Sequence, residues 1–115
     1  MLEINDYQAQ VRNFAKYPME IGPFYCTFGI GEEFGKLNQK IRELLDDPTH
    51  QIDKQDSMKV AISLGDILYY ITNMATDFGV TMEEICLLNI RKQNMALEKK
   101  TKEENQKVTK LDENK

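Results

Sequence analysis

The stretch Ser63–Gly79, SLGDILYYITNMATDFG, decides how this chain folds. Wound at about 100° per residue, it separates into two faces. Leu64, Ile67, Leu68, Ile71, Met74, Ala75 and Phe78 crowd one half, and Ser63, Asp66, Tyr70, Asn73 and Asp77, continued backwards by Lys59, form a polar stripe on the other. The spacing is helical; a strand would alternate its faces every second residue. Asp56 or Ser57 offers an N-cap for this helix, and Gly79 suits the left-handed position just past its end. The polar stripe reads first as a solvent-facing surface, with the apolar half turned inward. Its mixture of an aromatic ring, an amide and carboxylates is also what ligand pockets carry, and long central helices of four-helix domains are contacted on several sides.

The same period extends outward. Ile4, Tyr7, Val11 and Phe14 step by three and four along a first helix expected to stop near Tyr17-Pro18, and Ile21-Gly22-Pro23 resets the direction. A second helix is expected from Phe24 or Phe28 to Asp46, with Phe34, Leu37, Ile41, Leu44 and Leu45 as its buried stripe and Asp46-Asp47-Pro48 as its stop. Thr49–Gln55 is polar and unpatterned, a loop. Thr81 and Glu84 form a capping-box pair for a fourth helix carrying Ile85, Leu88 and Leu97. The expected class is therefore all-α, with four helices and no strand. Residues 1–97 read as one helical domain, and 98–115 as a charged tail, either a helical extension or disordered, with no chemistry of its own.

Composition narrows the function. The chain has 115 residues, 15 Lys+Arg against 19 Asp+Glu, and a formal net charge of −4. An acidic balance excludes a broad contact with a phosphate backbone, so extended nucleic acid is not expected as a ligand. No apolar run approaches the roughly 20 residues of a membrane span, and the N-terminus lacks the basic and apolar regions of a secretory signal. A cytoplasmic protein with no membrane partner is the expectation. Cys26 and Cys86 read as reduced core thiols, since no neighbouring histidines or further cysteines complete a zinc set. His50, the single histidine, reads as a solvated loop residue.

Along the second helix, Glu33, Lys36 and Lys40 stand at i, i+3 and i+7 beside the apolar stripe, placed to look across at the third helix or simply to pair along their own, at about 0.2–0.5 kcal/mol per pair. Gly29, Gly31 and Gly35 do not make a dinucleotide fingerprint, because the last spacing is one residue too long and no strand precedes them. They are suited instead to close helix packing or close approach of a ligand.

Two segments carry a resemblance. Gly29–Ile41, GIGEEFGKLNQKI, resembles the first signature of the MazG-type, all-α nucleoside triphosphate pyrophosphohydrolases, and Ser63–Ile71, SLGDILYYI, resembles the second. Asn5-Asp6-Tyr7-Gln8, Tyr17-Pro18, Ala75–Gly79, Met82–Ile85, and Asn89 with Lys92 agree as flanking pieces, so the similarity covers about residues 4 to 93 in order. It implies a four-helix MazG-like bundle with helices packing across the subunits of a homo-oligomer, a dimer or tetramer. It also implies a carboxylate cage for Mg²⁺, which takes oxygen ligands and is shared with substrate phosphates. Matched position by position, the cage keeps Glu33 and Asp66, while its other acidic positions fall on Lys36, Gln39 and Ser63. A lysine ammonium is all donor and cannot ligate a metal.

The expected function follows from that charge reversal. Glu33 and Asp66 supply two negative charges, Lys36 returns a positive one and Lys40 stands nearby, so a phosphate can be met by lysine directly. Tyr69 and Tyr70 offer rings for a base, Asn73 an amide for its edge, and Asn89 and Lys92 complete the family-matched ligand set. No cofactor is expected. The resulting expectation is a catalytically impaired MazG-like protein that sequesters a nucleotide, a cyclic oligonucleotide or a related signal without hydrolysis. Short, diverged members of the family resemble phage proteins, which points to a virus blunting host nucleotide signalling. The alternatives are an active pyrophosphohydrolase gathering Glu32, Glu33, Asp66 and Asp77 around one Mg²⁺, and a helical scaffold without a ligand.

Overall fold

The computed structural model describes residues 1–113. Among them are four α-helices, α1 (Ile4–Arg12), α2 (Gly22–Asp46), α3 (Lys54–Asp77) and α4 (Met82–Glu113), a 3₁₀ turn at Met19–Ile21, and no strand. The chain divides into two compact units, Met1–Met82 and Glu83–Lys115. No helix among the described residues is long and apolar enough to cross a membrane.

Three boundaries differ from the sequence expectation, each for a local reason. The first helix ends at Arg12 rather than near Tyr17. Asn13, Phe14 and Ala15 donate their N–H groups three residues back, to Gln10, Val11 and Arg12, so the chain tightens and turns away before Tyr17. Phe14 is thereby left exposed, while Tyr17 goes inside. The second helix starts at Gly22, with Pro23 in its first turn, where a missing N–H is harmless. The third starts three residues before Ser57: Asp53 is its N-cap, accepting from Asp56 N at 2.8 Å, while Asp56 accepts from Asp53 N at 3.1 Å. This reciprocal box uses aspartate where a glutamate is usual. The helix stops as expected, with Gly79 at φ 73°.

The larger correction concerns which faces are packed. The seam of the first unit runs along one edge of α3 and draws on both faces: Ser63 and Asn73 from the polar stripe, Ile67 and Ala75 from the apolar half. Ser63, Ile67, Thr72, Asn73 and Ala75 are buried, whereas Leu64 is 52% exposed and Phe78 63%. On α2 the expected stripe is likewise open, with Phe34 and Leu45 exposed and Leu37 and Leu44 only half-buried. The buried positions are Gly22, Cys26 and Gly29. Small residues at these steps bring the two backbones close: a Cβ at Gly29 would lie 2.5–2.7 Å from the Tyr70 ring. A helical projection sorts residues by polarity, but only the neighbouring helices decide which sector they cover, and here the covered edge mixes polar and apolar positions.

His50 lies in the α2–α3 loop with Nε2 2.6 Å from Asp56 Oδ2, and this hydrogen bond raises the imidazole above its ordinary value of 6.5. Folding therefore favours imidazolium. The pair's stabilisation is complete below about pH 6.5 and disappears as pH climbs through the raised value; on the acid side it disappears as pH falls through the lowered value of Asp56. A proton NMR titration of this lone histidine is expected to give a pKa above 6.5 that moves back toward 6.5 in Asp56→Asn. An unshifted wild-type value would show that the pair does not form.

Candidate functional site

Of the residues singled out in the sequence, Glu33, Lys36 and Lys40 stand on α2 and Ser63, Asp66, Tyr69, Tyr70 and Asn73 on α3. Starting from α2, Glu33 is half-buried and Lys36 Nζ lies 3.3 Å from its carboxylate and 3.6 Å from that of Glu32. The contact with Glu33 leads in pushing the exposed Lys36 ammonium to a higher pKa. One turn on, Lys40 Nζ donates to Ser63 Oγ at 2.8 Å, which ties α2 to α3. Gln39 points elsewhere, donating to Glu43 at 3.4 Å. Thus Lys36 is paired with glutamates, Gln39 is an amide spent on its own helix, and Ser63 is a buried hydroxyl capped by Lys40.

On α3 the aromatic residues are structural neighbours before they are anything else. Tyr70 rests on Gly29, meets Tyr69 edge-on at 5.2 Å and Tyr25 at 6.2 Å, and Tyr25 in turn stacks on Tyr17 at 4.8 Å. Burial, then the charges of neighbouring groups including Glu33, push the Tyr70 phenol up. The Tyr69 hydroxyl donates to Phe14 O at 3.1 Å. Asn73 is fully buried, with Nδ2 donating to Tyr69 O at 3.2 Å and Oδ1 without a protein partner. Asp66 is exposed on the flank toward α1, where, after burial, its charge helps raise the Tyr7 phenol. Asn89 and Lys92 are exposed residues of α4, in the second unit.

Among the described residues no three His, Cys, Asp or Glu groups gather as a metal site requires. The alternative set is also dispersed. Asp77, its side chain 4% exposed, is held by Arg12 at 2.8 Å and accepts from the Tyr17 hydroxyl at 3.1 Å, so it is not free to join Glu32, Glu33 and Asp66. Arg12 also donates to Tyr17 Oη at 3.1 Å, and the Cys26 thiol donates to the same oxygen at 3.4 Å. Burial, followed by Cys26 and Asp77, drives the Tyr17 phenol well above its ordinary value. Burial also leads in raising Cys26, which keeps it a thiol. This cluster was not evident in the sequence; only Asp77 stood out, as the last member of the stripe. An opening of about 460 Å³ between α1 and the end of α3 adds no reactive group. Of the side chains lining it, Gln8 is committed to Thr76, Val80 O and Met82 N, and Arg12 to Asp77 and Tyr17.

Compared with known proteins, the chain is similar to the Gene 37 protein of Mycobacterium phage L5, 24% identical over 98 residues, covering 79% of this chain and 85% of that protein. No family model matches the chain. No solved structure matches it.

Gly22 sets the approach of α2 to Asp77, since a Cβ there would lie 2.8 Å from Asp77 Cγ. Gly22→Ala is expected to displace that carboxylate from Arg12 and Tyr17 and cost about 1–3 kcal/mol in urea unfolding. A loss below about 0.5 kcal/mol would show that the cluster yields at no cost.

Proposed function

We propose that the chain is a MazG-like helical protein that has exchanged its metal cage for a cationic edge and binds a nucleotide or nucleotide-derived signal without hydrolysing it. One observation carries the reading: Lys40 reaches across to Ser63, so an ammonium stands beside a position where the MazG resemblance implies a carboxylate. Lys36, one turn away, sits in an exposed ion pair, an arrangement worth little in water and readily exchanged for a phosphate. Two lysines on one helix edge supply charge-assisted donors to a phosphate with no divalent cation between them. In this reading the row Tyr25, Tyr70 and Tyr69 offers the stacking surface, and Asn73, having no exposed surface, holds the Tyr69 carbonyl rather than a base. The reading includes a homo-oligomer in which a second copy covers the open apolar half of α3. The similarity to a phage protein is compatible with the viral setting of this reading.

Three outcomes separate the functions. Purified protein incubated with Mg²⁺ or Mn²⁺ and the common nucleoside triphosphates is expected to release no pyrophosphate; turnover would make it a pyrophosphohydrolase. Thermal-shift measurements with mononucleotides and cyclic dinucleotides are expected to show stabilisation that survives EDTA. Lys36→Glu and Lys40→Glu are each expected to weaken binding about tenfold or more, in keeping with a lost hydrogen bond between charged groups. Unchanged affinity in both would contradict direct lysine–phosphate recognition, and no stabilisation by any nucleotide would favour the scaffold.

A further inference from the structure

From Leu87 to Glu113 every residue of α4 is exposed, so at least seven helical turns proceed without a packed face. A helix of that length ordinarily owes its stability to an amphipathic face buried against something. The sequence of α4 contains such a face. Taking Leu87, Asn94, Thr101 and Val108 as a positions places Ile90, Leu97, Glu104 and Leu111 at d, an unbroken alternation of three and four. Five of these eight positions are apolar and all five are more than half exposed, from Leu87 at 55% to Leu111 at 66%.

The geometry points to a second copy of this chain as the occupant: α4 pairs with α4 of another copy as a parallel, in-register two-stranded coiled coil about 36 Å long. The flanking charges favour that orientation. In register, the flanking g-to-e′ pairs are Gln93 with Glu98, Lys100 with Asn105 and Lys107 with Asp112, none of them between like charges. An antiparallel pair centred on this segment instead sets Lys100 against its own copy and Glu98 against its own. Asn94 at a meets its copy in the parallel form, the arrangement by which one buried asparagine fixes two strands and their register. One layer opposes the assembly, Glu104 against Glu104 at d. Lys100 and Lys107 stand four residues before and three after it on the same helix, where they offset its charge. This pairing does not depend on the nucleotide reading, nor on whether the α3 faces also associate.

The test uses the full chain with Cys86→Ser, which leaves only the buried Cys26 as a native thiol. Adding Val108→Cys, at a, and oxidising mildly is expected to give disulfide-linked dimers at least tenfold more abundant than Gln106→Cys, which points outward at f. A yield at 108 no greater than at 106 overturns the parallel coil, whether because the helices run antiparallel or because α4 stands alone as a charged helix. Separately, Glu104→Leu is expected to tighten self-association at least tenfold in sedimentation equilibrium, with helix content by circular dichroism preserved. An unchanged association constant overturns the register independently of the cysteine result.

Discussion

The Asp77 carboxylate is the point on which the first unit of this protein closes. It draws in Arg12 from the end of α1, the Tyr17 hydroxyl from the connecting segment, and the start of α2 at Gly22, where only a glycine leaves it room. Three closely spaced points of one N-terminal stretch therefore converge on a nearly buried charge that is remote from them in sequence. Such a charge is tolerable inside only because it is paired and hydrogen-bonded, and removing any one partner would leave the others burdened with an unpaired polar group. The tight turn after Arg12 and the inward position of Tyr17 both follow from this convergence.

The convergence also governs what the polar stripe of α3 can do. Once α1 and α2 are drawn to Asp77, they lie along the same sector of α3, and Ser63, Tyr70 and Asn73 become seam residues. A carboxylate cage at that seam would need several acids facing one another. The chain has instead placed a lysine–hydroxyl contact at one turn, a lysine–glutamate pair at the next, and Asp66 on the α1 side. Two ammonium groups on this edge suit the recognition of an anion, and this is why binding without turnover is the function proposed.

The helices themselves were legible because period and punctuation agree. Asp46-Asp47-Pro48 stops α2 where expected, Gly79 ends α3 in the left-handed region, and the run after Thr81 begins α4. The facing of those helices was not legible. The apolar half of α3 looked like core, yet Leu64 and Phe78 remain open because the first unit has too few elements to cover both sides of a long helix. Nor did any local signal connect Arg12 with Asp77, whose pairing depends on how the chain turns after α1. Of the candidate site, the reach of Lys40 toward α3 was visible in its spacing from Glu33; the commitment of Tyr69 and Asn73 to backbone partners was not, because those partners are set by packing and helical back-bonding.

The claim that this edge holds a phosphorylated nucleotide and leaves it whole is tested most directly by mass spectrometry of the small molecules released when the purified, natively expressed protein is denatured. The account predicts a stoichiometric nucleotide or cyclic nucleotide with its phosphates intact, lost from the Lys36→Glu, Lys40→Glu double variant. Recovery of hydrolysed monophosphate alone, or equal recovery of the same nucleotide from wild type and the double variant, would contradict it.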